Sequence, residues 1–174
     1  LDLFDRHGVR ATFFTLGWVA ARQPGLVRDI VARGHELASH GMGHRRVHTL
    51  EPEAFAADVR DSKALLEDIA GVGIAGYRAP SFSIDGRAPW AHRILRDAGY
   101  RYSSSVFPLR TDHYGMPEAP RFAYQPFDDD RFLEIPLTTA ELGGRRLPCA
   151  GGGYFRLLPV RAFTWALQRV AARD

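Results

Sequence analysis

Only one cysteine, Cys149, occurs in 174 residues, so no internal disulfide staples this chain, and the redox character of its compartment stays open. Lysine is nearly absent too. Lys63 is the only lysine among 23 basic residues; the rest are scattered arginines, adjacent only at Arg45-Arg46 and Arg145-Arg146. A nucleic-acid surface wants a basic stripe with interleaved aromatics, and the scatter argues against that partner despite a formal charge of +3. No apolar run approaches the ~18 residues of a membrane span, and no charged-then-apolar leader opens the chain. Repeats and low-complexity segments are missing as well. What is present, 45% apolar and 25% charged residues, is the balance of an ordinary globular chain with one core, expected to be a single domain over 1–174.

The apolar pattern divides the chain. Leu1 to Gly8 reads as the last turns of a helix closed by glycine. Val9 to Leu16 is rich in strand formers and is expected to be a buried strand. Pro24 opens a helix with Leu26, Val27, Ile30 and Val31 on one face and Gly34 at its end. A second strand, His35 to Ser39, precedes a long helix that starts at Glu51 and Pro52, buries Phe55, Val59, Leu66 and Ile69, and stops at Gly71. A strand over Ile74 to Arg78, a helix over Ala88 to Ala98 and a strand over Tyr100 to Ser104 complete a β-α-β-α-β-α-β alternation. Helices of this length between strands imply parallel pairing through right-handed crossovers, hence an α/β sheet or barrel. Residues 106–130, with Pro108, Pro117, Pro120 and Pro126, read as irregular, and so long an irregular stretch is usually functional. Phe132 to Thr138 resume as a strand, Gly151-Gly152-Gly153 make a flexible turn, and Pro159 opens a last helix. The chain begins at Leu1 inside one helical pattern and ends inside another, so both ends are expected to be cut from a longer protein.

The chemistry-bearing motif is His40-Gly41-Met42-Gly43-His44, at the end of the second strand. Two imidazoles four residues apart can face one cation from a single helical turn, and neutral imidazole is a common ligand for zinc and its neighbours. Catalytic zinc takes three protein ligands and leaves a position for water, so a third ligand is required. In α/β proteins ligands gather at the carboxyl ends of strands, where this pair sits.

Taken in order, Ala11-Thr12-Phe13-Phe14, Gly34-His35-Glu36-Leu37-Ala38-Ser39-His40, His44 and Arg78-Ala79-Pro80 resemble the polysaccharide deacetylase family of the NodB-homology type. Gly76 to Ile84 and Ser104-Ser105-Val106-Phe107-Pro108 resemble its branch associated with exopolysaccharide and exosortase systems. The resemblance implies a partial distorted (β/α) barrel, a divalent cation, usually zinc, held by one aspartate and two histidines, and hydrolysis of N-acetyl groups on amino sugars of a polysaccharide. His40 and His44 match the metal ligands. Arg78 matches the arginine that orients the catalytic-base aspartate, and the backbone N–H of Ser81 matches the donor that holds the carbonyl oxygen. Pro80, Phe82 and Phe107 are candidate substrate contacts.

Several positions depart from the family pattern. Its first motif, an aspartate pair, would precede Leu1, and Asp2 and Asp5 do not fit it; its last, a Leu-x-His-Pro strand end carrying the general acid, would follow the final helix. Ser103 stands where related sequences often carry aspartate, and Gly41 where Ser or Thr is usual. The 174 residues alone are therefore expected to turn over negligibly, because general acid and base each contribute typically ~10²–10⁴-fold. A noncatalytic carbohydrate-binding descendant and another metal hydrolase on a related barrel are the competing readings. Arg78 could instead serve a structural ion pair, and His35 is expected to satisfy backbone groups after Gly34. His48 and His113 have no assigned partner, and Asp128-Asp129-Asp130 read as a solvated turn. Phe107, Tyr114, Phe122, Tyr124 and Phe127 could line a sugar groove or pack the irregular stretch. The compartment, cytoplasmic or cell-envelope associated in a bacterium, and the oligomeric state are not legible.

Overall fold

The computed structural model describes residues 1–112, 114–128 and 131–172; His113, Asp129 and Asp130 lie outside the described residues. Five strands, β1 (Thr12–Thr15), β2 (Glu36–Ser39), β3 (Gly76–Tyr77), β4 (Tyr102–Ser103) and β5 (Leu133–Glu134), form one sheet in chain order, and all four pairings are parallel. Helices α1 (Asp2–Arg6), α2 (Gly17–Arg22), α3 (Pro24–Ala32), α4 (Pro52–Ala70) and α5 (Ala91–Asp97) surround these strands in sequence. A sheet that adds each new strand on the same side, through right-handed crossovers, puts its connecting helices on one face. That is the winding of a barrel, as opposed to a doubly wound sheet. Among the described residues the barrel does not close, since β1 and β5 are both edges.

The elements form where the residues require them. Pro24 and Pro52 sit in the first turns of α3 and α4, where the missing N–H costs nothing. Gly71 ends α4 in the left-handed conformation, its N–H donating to the Glu67 carbonyl. The buried face of α4, Phe55, Val59 and Leu66, meets Val27 and Ile30 of α3, Leu37 of β2, Tyr77 of β3 and Leu95 of α5 in one core. A smaller cluster of Ala140, Cys149 and Ala166 lies beneath an antiparallel hairpin, β6 (Thr139–Leu142) and β7 (Arg145–Pro148), covered by α7 (Val160–Ala171).

Several expectations are corrected. The first strand is four residues long and half-exposed, because β1 pairs with one neighbour only and has an open edge. Helix α2, unforeseen, fills the space before Pro24. The strand expected over Phe132 to Thr138 is limited to Leu133–Glu134; the chain then leaves the sheet, and Thr139 opens the hairpin. Gly152 and Gly153 begin a helix, α6 (Gly152–Leu157), in place of a flexible turn. The His35 backbone N–H donates to the Ile30 carbonyl at 3.2 Å, while its two ring nitrogens find no hydrogen-bond partner among the described residues. Its buried ring packs between Phe4 and Phe13, with centroids 5.5 and 5.2 Å away. Residues 106–112 and 114–128 are irregular as expected, apart from one bridge between Tyr124 and Glu134.

Leu66 is wholly buried at the centre of the main core. Leu66→Ala should cost about 2–5 kcal/mol, read as a lower denaturation midpoint at unchanged m-value.

Candidate functional site

Three site residues are produced by one structural event repeated along the sheet. His40, Arg78 and Ser104 are the residues immediately after β2, β3 and β4, and each backbone N–H continues the parallel ladder: His40 to the Thr15 carbonyl, Arg78 to Ser39 and Ser104 to Tyr77, all at 2.9 Å. The ladder ends there. Side chains beyond the sheet edge are free to converge at the carboxyl end.

The histidine segment is a loop, which corrects the helical turn expected of the four-residue spacing. Gly41 at φ +77° and His44 at φ +59° bend the chain back, so that the two imidazole centroids stand 5.1 Å apart. Gly41 has a second reason to be glycine: a Cβ there would lie 2.8 Å from Asp58 Oδ2. That carboxylate accepts the Met42 N–H at 3.1 Å and so ties the loop to α4, and burial raises the Asp58 carboxyl above its ordinary range. Helix α2 holds the other side. The N–H groups of Gly17 and Trp18, donors that no intrahelical partner can satisfy, bond the carbonyls of Gly41 and Met42 at 2.9 Å.

His40 is half-buried, and its Nδ1 lies 2.7 Å from the Arg78 carbonyl oxygen. A carbonyl only accepts, so Nδ1 carries the proton and Nε2 keeps its lone pair. Burial lowers the His40 imidazole from its ordinary value; the bond to Arg78 works against this, and the charges of His44 and Arg78 add to it. The neutral form, the one that binds metal, is thereby favoured. His44 is exposed. Two imidazoles in this arrangement suit a divalent cation as donors. Among the described residues no group of three His, Cys, Asp or Glu side chains converges, so the pair is one donor short of the usual set. Asp2 and Asp5 are occupied elsewhere, on Arg33 at 2.6 and 2.7 Å.

Arg78 lies with its guanidinium 4.1 Å over the Phe14 ring, donating from Nε to the Ser104 carbonyl at 2.9 Å and from Nη2 to Ser104 Oγ at 2.6 Å. Burial works against its charge, and the fields of Tyr102 and Glu134 offset part of that. Among the described residues no carboxylate lies within ion-pair distance of it, so a structural ion pair does not account for this arginine. After Ala79 the chain turns sharply: Ser81 at φ 54° and Phe82 at φ 49° are left-handed. With His44 they are the non-glycine residues at positive φ among the described residues. Such strain concentrates at functional sites because the surroundings must hold it in place. No described residue accepts the Ser81 N–H.

Sequence reasoning missed what holds this turn. The Ala79 N–H donates to Ser105 Oγ at 2.9 Å, and Ser103 donates to the same oxygen at 2.7 Å. Glu134 on β5 has a fully buried side chain. Its Oε1 accepts the N–H groups of Ser105 and Val106 at 2.8 and 2.9 Å, and its Oε2 meets His92 Nε2 at 2.9 Å. Burial alone would raise the Glu134 carboxyl; the hydrogen bond and charge of His92 and the Val106 N–H outweigh it, and the result lies below the ordinary value. The available signal was a lone acid inside Phe132-Leu133-Glu134-Ile135-Pro136-Leu137, at an inward position of an apolar strand.

The other candidates separate. Pro80 is buried and opens the strained turn. Phe82 and Phe107 line one cavity with Tyr114. Phe127 packs on the core, Tyr124 bridges to Glu134, and Phe122 is exposed beside Arg121. His48 Nδ1 stands 3.9 Å from Asp85 Oδ2, beyond hydrogen-bond range.

Against known proteins, residues 1–103 match the family model described as "Polysaccharide deacetylase". The chain belongs to that family. Residues 104–174 match a model described as "Domain of unknown function (DUF3473)". Over 99 residues the chain is 50% identical to a chitooligosaccharide deacetylase of Sinorhizobium fredii, covering 55% of this chain and 42% of that protein. Over 67 residues it is 34% identical to a peptidoglycan-N-acetylglucosamine deacetylase of Bacillus cereus, covering 38% and 32%. A crystal structure from Mycobacterium smegmatis, described as that of a polysaccharide deacetylase, superposes with a TM-score of 0.63 at 27% identity, covering 79% of this chain and 43% of that one. The chain spans less than half the length of each of these relatives.

Glu134→Ala would leave two buried N–H groups and His92 without their partner, a loss of roughly 3–5 kcal/mol. A carboxyl whose folded pKa is depressed adds stability above its unfolded value and forfeits it as the pH falls through the folded one. The gap between variant and wild-type unfolding temperatures should therefore be widest near pH 7 and narrow on acidification below 4.5; a gap that stays constant with pH would contradict an ionised Glu134.

Proposed function

We propose that this chain is part of a metal-dependent hydrolase that removes N-acetyl groups from amino sugars of a polysaccharide. The observation that carries this reading is the His40 imidazole, with Nδ1 held by the Arg78 carbonyl and Nε2 left free, beside His44 and next to the strained turn at Ser81. His40 and His44 would hold a divalent metal, with zinc the first candidate, since imidazole suits it. When bound, the metal polarises the amide carbonyl and lowers the pKa of its water. Arg78, a half-buried cation with no ion-pair partner among the described residues, is suited to orient an incoming carboxylate base. The unengaged Ser81 N–H, fixed before substrate arrives, is suited to hold the carbonyl oxygen as charge develops on it. Phe82 and Phe107 form the apolar wall of the sugar site, supported by Pro80.

We propose further that the third ligand, the base and the general acid lie outside these 174 residues, in the aspartate and histidine motifs of the family. The branch that acts on exopolysaccharide is the assignment we favour. The whole stretch reads as one domain: β5, from the segment of unknown function, pairs with β4 in the same sheet. A noncatalytic carbohydrate-binding descendant is favoured by a single feature, the buried Ser103, which hydrogen-bonds Ser105 where relatives often carry aspartate.

In the full-length protein, His40→Ala should bring retained metal, measured by elemental analysis, to background and abolish acetate release from chitooligosaccharides. Activity that survives metal loss would sink the mechanism. Arg78→Ala should keep the metal and lower kcat by about 10²-fold or more, the contribution of an oriented base; an equal loss of folded protein would instead mark Arg78 as structural.

A further inference from the structure

The junction of α6 and α7 stands apart from the rest of the fold. Every residue over 155–162 is exposed. A helix lying on a core buries one residue in every three or four, so eight exposed residues in succession mark an elbow that projects from the body. Its tip is apolar. Leu157 is 80% exposed and Val160 61%, with Phe155 and Leu158 exposed beside them. The elbow is nonetheless an ordered bend. Leu158 donates its N–H to the Tyr154 carbonyl at 2.9 Å and Phe163 to the Pro159 carbonyl at 3.1 Å, and the Phe155 and Phe163 rings meet edge-on with centroids 5.2 Å apart.

Charge is segregated in the same segment. Residues 142–172 hold five arginines and no aspartate or glutamate, although bases and acids nearly balance over the whole chain, 23 against 20. Arg156 and Arg161 flank the tip in sequence, both exposed and neither in an ion pair with a described residue. We propose that this elbow docks on an anionic lipid membrane, with Leu157 and Val160 entering the boundary between headgroups and acyl chains while Arg156 and Arg161 meet lipid phosphates. An apolar tip flanked by arginine and free of acids is complementary to such a surface in two respects. Burial of hydrocarbon supplies one part of the binding, and attraction to anionic headgroups the other. Arginines alone would suit any polyanion, but an aliphatic tip gains only by leaving water, which a phosphate backbone does not offer it. The arginine stems can lie along the acyl boundary while their guanidinium groups stay among the phosphates. No helix among the described residues is long and apolar enough to cross a membrane, so the contact is with the membrane surface. The proposal is independent of the deacetylase reading: it concerns where the segment of unknown function places the chain, and no hydrolysis enters its test.

The test is co-sedimentation of the full-length protein with vesicles of phosphatidylcholine alone and of phosphatidylcholine mixed with phosphatidylglycerol in equal parts. Wild type should bind the mixed vesicles, and the neutral ones at least tenfold more weakly. Leu157→Asp should lower partitioning onto the mixed vesicles by about tenfold or more, the loss of one buried leucine. Arg156→Gln combined with Arg161→Gln should lower it by roughly 25-fold at low salt, about fivefold per arginine. Thermal midpoints should not move, because these side chains are exposed. No binding of mixed vesicles by wild type, equal binding of both vesicle types, or undiminished binding by either folded variant overturns the proposal. A Leu157→Asp protein with a lowered midpoint or a dissociated oligomer overturns it as well, because the elbow is then covered by protein.

Discussion

The buried carboxylate of Glu134 is the anchor from which the candidate site is built. A lone ionised group away from water is costly, and this one is kept ionised by His92 and two backbone N–H groups. Its hold on Ser105 and Val106 passes through Ser105 Oγ to the Ala79 N–H, and from there to the turn that strains Ser81 and Phe82. The backbone strain at that turn requires such over-determined surroundings.

On the other side, the histidine loop is held between two helices. Helix α2 donates its unsatisfied N–H groups to the loop carbonyls, and Asp58 of α4 accepts the Met42 N–H. Gly41 fits this clamp by its positive φ and by the space that Asp58 leaves it. The two halves meet at the 2.7 Å contact between His40 Nδ1 and the Arg78 carbonyl, which links loop, sheet end and strained turn in one polar seam. One hydrogen bond thus sets both the tautomer of the His40 imidazole and its position relative to Arg78.

The boundary between the two matched family models, at residues 103 and 104, falls at the end of β4, yet the sheet continues across it through β5. The segment of unknown function supplies Ser104, Ser105 and Glu134, which support Arg78 and Ala79, as well as Tyr154 and the glycines at 151, 152 and 153, which line the cavity with Phe82 and Phe107. Support and cavity both cross that boundary.

The sequence by itself determined the alternation of strands and helices, the starts of α3 and α4 at proline, the end of α4 at Gly71, and the residues of the histidine pair and of the arginine turn. These are local properties: apolar period, turn chemistry and short motifs act within a few residues. Tertiary structure alone decided that the histidine segment is a loop, that β1 is an edge, and that His92, Ser105 and Glu134 support a turn beginning at Ala79, well before them in the chain. Those outcomes depend on which strand ends lie side by side and on which buried polar atoms must find partners, and neither is written in any local window.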